Sequence, residues 1–110
     1  MQKIVFEVQG SSSEPYEVVF QKSESSLSAT CTCQAGAMGQ VCKHRVSILS
    51  GGKDGIVSGN ESEIPVVISW LPGSSIASAM LALAEAEVEF DKIKKRVSAA
   101  KKQLSLAMHP

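Results

Sequence analysis

The 110-residue sequence predicts an α+β fold: a small β-hairpin and short-helix module, then one long coiled-coil-like helix at the C-terminus. Three observations predict it. Residues 3–8 and 16–21 are runs rich in β-branched and aromatic side chains, separated by a cluster of glycine, serine and proline. All three cysteines, with one of the two histidines, fall between Cys31 and His44. From Ser74 to Met108 there is neither glycine nor proline, and apolar residues return every seven positions.

Lys3–Val8 and Tyr16–Gln21 read as an antiparallel hairpin, with the turn in Gln9–Pro15 and a polar, flexible stretch over Ser23–Ser26. Ser28–Thr32 adds a third short strand that delivers the first cysteines. Side chains alternate along an extended chain, so Cys31 and Cys33 project to the same side. After eight residues, with Gly36 and Gly39 among them to let the chain loop back, come Cys42-Lys43-His44. Structural zinc takes four soft or borderline ligands in a tetrahedron, and Cys₃His is one of the usual sets. The expected ligands are Cys31, Cys33, Cys42 and His44, holding one structural Zn²⁺ that stabilises the module. A disulfide would strand one cysteine. A catalytic zinc keeps an open position, which four ligands fill. The zinc deaminase pattern needs a glutamate two residues after the histidine, where this chain has Val46.

Cys-x-Cys followed by Cys-x-His, with Lys43 before the histidine and Val46, Ile48 and Leu49 behind it, resembles the SWIM-type zinc finger. The resemblance covers roughly residues 1–50 and rests on a fairly specific four-ligand order. In that family the first pair ends a β-hairpin and the second opens a short helix. Its members are associated with DNA binding and with protein–protein contacts in transposase-, helicase- and recombination-related proteins. The resemblance therefore implies a module, and leaves its task open between those two.

Val41–Leu49 reads as that helix, with His44, Ile48 and Val41 on one face by the three-to-four spacing, and Gly51-Gly52 ending it. Lys43 and Arg45 point away from that face, either as a solvated pair or as a phosphate contact. The module is thus placed at residues 1–52, and 53–73 is a connector. Within the connector, Ile56–Ser62 is loop-like. Val66, Val67 and Ile68 favour a strand, whereas Ser62 as a cap and Pro65 in a first turn favour a short helix over 63–71. The helix is preferred, with Trp70 folded back onto the module and Pro72-Gly73 stopping it.

The long helix is assigned to 74–108. Ile76, Leu83, Phe90, Val97 and Leu104 recur every seven residues, and Ala79, Ala86, Ile93, Ala100 and Ala107 follow each by three. That a/d seam has no helix of equal length in the chain to cover it, so self-association is expected, most simply as a dimer. Glu85, Glu87, Glu89 and Asp91 precede Lys92, Lys94, Lys95, Arg96, Lys101 and Lys102. This order suits the helix dipole and antiparallel pairing.

Eleven basic residues balance eleven acidic ones, so the basic surplus usual in nucleic-acid-binding domains is missing. Local contact to phosphates through Lys43, Arg45, Lys94, Lys95, Lys101 and Lys102 stays open as the alternative. The longest apolar stretch, Ile76–Ala84, is too short to span a bilayer, and the N-terminus lacks a signal-peptide run. A cytoplasmic protein of a reducing compartment is expected, without membrane or small-molecule partners. No nucleophile–base pair points to an enzyme, and His109 sits at the fraying helix end. The expected role is a protein-interaction adaptor or regulator; the alternative is a DNA-binding accessory protein.

Overall fold

The computed structural model describes every residue, Met1–Pro110. It is α+β, with a three-stranded antiparallel sheet and a long C-terminal helix. The strands are β1 (Gln2–Val8), β2 (Tyr16–Ser23) and β3 (Ser26–Cys31), in the order β1-β2-β3. Register places Phe6 opposite Val18, and Val18 in turn opposite Cys31. The alternate residues Phe6, Val8, Val18, Phe20, Leu27 and Cys31 are therefore buried on one face. Phe6 and Phe20 meet edge to face, with ring centroids 5.9 Å apart. Cys31, the first candidate metal ligand, thus stands on the same face as this hydrophobic core.

The Ser23–Ser26 stretch, expected to be flexible, is a two-residue hairpin turn, since Ser23 pairs directly with Ser26. Glu24 occupies it with φ of 50°, in the left-handed region that favours glycine. Glu24→Gly is expected to stabilise the zinc-loaded protein by roughly 0.5–1 kcal/mol, the steric relief less the greater chain entropy. Denaturant unfolding followed by Trp70 fluorescence measures this, and a lower midpoint would contradict it.

Two helices cover the buried face. Residues Gln34–Ala37 form the single turn α1, which the sequence did not suggest, and Lys43–Leu49 form α2. Val41 lies outside α2 and is 74 % exposed, so it does not share the inner face with Ile48, which is 2 % exposed. Segment 53–73 is more than a tether. Ile64–Ser69 form helix α3, resolving the ambiguity between helix and strand, and Ile64, Val67 and Trp70 enter the core. Pro65 stands in the first turn of α3, where its missing N–H has no consequence. Ser62 is not its cap; it sits inside a 3₁₀ turn, Glu61–Glu63, that leads into the helix.

The loop before α3 seals the free edge of β1. Gln9 N–H donates to the Gly55 carbonyl (2.7 Å), and Val57 N–H to that of Glu7 (2.8 Å). Glu7 N–H donates to Ser58 Oγ, and Asn60 Nδ2 to the Val5 carbonyl at 2.9 Å. An unpaired edge would otherwise be a template for pairing with other chains.

The chain divides into two compact units, Met1–Ala77 and Ser78–Pro110. Helix α4 (Ser75–Ala107) begins with Ser74 as its cap, Oγ accepting from Ala77 N–H at 3.1 Å. At 1.5 Å per residue it is about 50 Å long. Within the second unit it buries nothing: Leu83, Phe90, Ile93, Val97 and Leu104 of the seam are exposed, as are Leu81 and Val88 away from it.

Candidate metal centre

The candidate metal centre is built where three short elements meet. Cys31 is the last residue of β3, Cys33 is the N-cap of α1, and Cys42 is the N-cap of α2, with His44 in its first turn. The three sulfurs and the imidazole Nδ1 lie within 4.8 Å of one another. Cys33 Sγ to Cys42 Sγ is 3.4 Å, Cys42 Sγ to His44 Nδ1 is 3.5 Å and Cys31 Sγ to His44 Nδ1 is 3.8 Å. With Zn–S near 2.3 Å and Zn–N near 2.0–2.1 Å, a tetrahedral site has edges of about 3.5 Å between nitrogen and sulfur and about 3.8 Å between sulfurs. The cluster therefore fits one metal ion with small side-chain adjustments. The cysteines are buried, and none is engaged in a disulfide.

Each sulfur also receives a backbone N–H. Cys33 N–H points to Cys31 Sγ (3.5 Å) and Gly36 N–H to Cys33 Sγ (3.4 Å), while Arg45 N–H bonds Cys42. Three thiolates around a divalent cation leave one net negative charge, which these donors spread. The close turn of α1 depends on Gly36, because a Cβ there would overlap the Cys31 carbonyl oxygen. Gly39 serves differently, at φ of 72° with open space around it. Both glycines of the intervening segment thus help return the chain, one by close approach and one by conformation.

Ionisation of the cluster is uneven. Burial pushes the Cys31 thiol up to about 12, with the Cys33 and Cys42 thiols adding to the rise and the Cys33 N–H opposing it. Burial also opposes ionisation of Cys42. There the Arg45 N–H and hydrogen bonds from Cys33, Cys31 and His44 win, and bring it down to about 6. The lowered Cys42 thiol therefore ionises before the raised Cys31 thiol, and an incoming cation must displace the Cys31 proton. Because binding must expel that proton, zinc affinity is expected to rise with pH through neutrality. Competition with a chromophoric chelator at several pH values measures this, and an affinity independent of pH would contradict it.

The histidine is positioned by residues that the motif did not reveal. Tyr16 packs against His44 with ring centroids 5.1 Å apart. Gly10 lets the tyrosine ring in, since a Cβ there would lie 2.5 Å from Tyr16 Cε2. When Nδ1 ligates an ion the ring proton must reside on Nε2, which faces this side. The signal in the sequence was faint: the only tyrosine opens the return strand of the hairpin. A cleft of about 290 Å³ runs beside the imidazole, lined by Gln9, Lys43, Ser47 and Asp54 among others.

The remaining candidate residues are placed as follows. Lys43 is exposed at the cleft. Arg45 is half-buried, and its guanidinium donates to the carbonyls of Gln40 (2.6 Å) and Ala29 (3.0 Å). It therefore ties the loop between the ligand pairs to β3. On α4, Lys94 lies over the Phe90 ring at 5.5 Å and Lys95 pairs with Asp91 at 3.1 Å; Lys101 and Lys102 are exposed one heptad on. No helix is long and apolar enough to cross a membrane. A scan against protein-family models and searches of curated proteins and of solved structures found no match.

Proposed function

We propose that this chain is a structural zinc module carried on a self-associating helix, acting as a non-enzymatic adaptor or regulator in protein interactions. The observation that carries the reading is the closed Cys31–Cys33–Cys42–His44 set. Four protein ligands leave no open coordination position for a substrate or an activated water, so the ion's work is to hold β3, α1 and α2 together. The SWIM-type assignment is the finer form of this reading. It is supported by the ligand order, by a strand that ends in the first pair and by a helix that opens on the second. The apolar seam exposed along α4 supports self-association.

A specific observation favours a second reading. Lys94, Lys95, Lys101 and Lys102 repeat at a heptad spacing and form one basic ridge along α4, suited to a nucleic-acid backbone. The test is binding of the zinc-loaded protein to duplex DNA, single-stranded DNA and RNA across a range of salt. Absence of binding at low salt supports the adaptor. Binding that weakens steeply with salt, and is lost on replacing the four lysines, would replace it with the nucleic-acid reading.

A further inference from the structure

We infer that the partner of α4 is a second copy of this chain, antiparallel, in one register with the two-fold axis between Asp91 and Lys92. The inference rests on the dimer reading above and adds its geometry. Antiparallel coiled coils stack a residues of one helix on d residues of the other. With the axis between Asp91 and Lys92, Ile76, Leu83, Val97 and Leu104 each face an alanine of the second copy: Ala107, Ala100, Ala86 and Ala79 respectively. Phe90 faces Ile93 at the centre. Every outer layer thus joins one large and one small side chain, which keeps the helix spacing even on both sides of the bulkier Phe90–Ile93 centre. The axis also falls at the middle of α4, which runs Ser75–Ala107, so the two helices overlap along nearly their whole length.

Charge selects the same register. In an antiparallel pair, flanking e positions meet e positions, and g positions meet g. Here Glu87 meets Lys94 of the second copy, and Glu89 meets Arg96. Each pair occurs twice by symmetry, and all are opposite in sign. Sliding by one heptad towards the N-terminus sets Glu87 against Glu87 and Glu89 against Glu89. Sliding the other way sets Lys94 against Lys94 and Arg96 against Arg96. A parallel dimer is worse packed, because Ala79, Ala86 and Ala100 would each stack on themselves while Phe90 met Phe90. It would pair Glu89 with Lys94 favourably but set Arg96 against Lys101. One arrangement therefore satisfies both shape and charge. Apart from the half-buried Ile76, the seam residues it covers are exposed: Phe90 is 64 % and Leu104 59 % exposed in the single chain.

The test is sedimentation equilibrium of the zinc-loaded full chain, with Trp70 emission as a check on folding. Arg96→Glu is the decisive variant, since the two orientations give opposite signs. In the antiparallel register it sets the introduced carboxylate against Glu89 of the second copy, twice by symmetry, and weakens the dimer about tenfold. Adding Glu89→Arg to it restores the affinity. Glu87→Lys, which has no charged counterpart in a parallel pair, weakens the dimer similarly. A dimer tightened by Arg96→Glu, or one indifferent to both changes, would overturn the register while leaving self-association standing. An unmodified chain that stays monomeric at every concentration would instead remove the dimer itself.

Discussion

Removing the metal, or replacing Cys33 by Ser or His44 by Ala, is expected to unfold Met1–Ala77 while the α4 helix persists. Zinc binding in finger peptides contributes on the order of 10–16 kcal/mol, whereas the whole stability of a typical domain is about 5–15 kcal/mol. The apolar core of the module is small, with Phe6, Phe20 and Trp70 its only buried large aromatic side chains. The four ligands sit at the end of β3 and at the starts of α1 and α2. Without the ion, three buried sulfurs would crowd together with nothing to hold them, and α1, a single turn, is too short to persist alone. Two signals separate the units. Trp70, the only tryptophan, is buried in the module and its emission should shift to the red on chelation. Helical circular dichroism should fall only in part, because most helical residues are in α4. An unchanged Trp70 emission after complete chelation, or in His44→Ala, would show that the module folds without metal.

Replacing Leu83 and Val97 together by Asp is expected to convert the proposed dimer to monomer. Both residues are exposed in the single chain, so the change costs the isolated helix little directly. In the proposed antiparallel dimer each copy would bury two carboxylates against Ala100 and Ala86 of the other, with no cation in the seam. Each substitution forfeits about 1.5–3 kcal/mol of apolar burial and adds the cost of desolvating a charge, several kcal/mol more. The sum far exceeds the roughly tenfold effect expected of a flanking charge reversal. Leu81→Asp is the control: it is similarly exposed but off the seam, and should leave the mass unchanged. Sedimentation decides the matter. A double variant that keeps the dimer mass would refute the seam.

Much of this protein is legible in its residues. The ligand set declares itself because every cysteine is concentrated in one segment beside a histidine. The two long strands follow from runs of β-branched and aromatic residues and α4 from a period of seven, which are local properties of the chain. The turn within Ser23–Ser26 escapes such a reading, because Glu24 gives no hint of a positive φ. Ser62 looks like a cap, yet its surroundings form a 3₁₀ turn that positions Ile64 for the core.

Local pattern was sufficient to mark the Cys₃His cluster, the metal class it would suit, the strands and the long helix with its exposed apolar seam. Tertiary structure decided what depends on residues distant in sequence. It brought Cys31 and Cys33 against Cys42 and His44 across a loop clamped by Arg45, and set Gly10 and Tyr16 behind the imidazole. It laid the Gly55–Asn60 segment along the open edge of β1 and chose helix over strand for Ile64–Ser69 by burying Ile64 and Val67. Periodicity reports which face a residue occupies, but long-range packing and buried hydrogen bonds decide what that face meets.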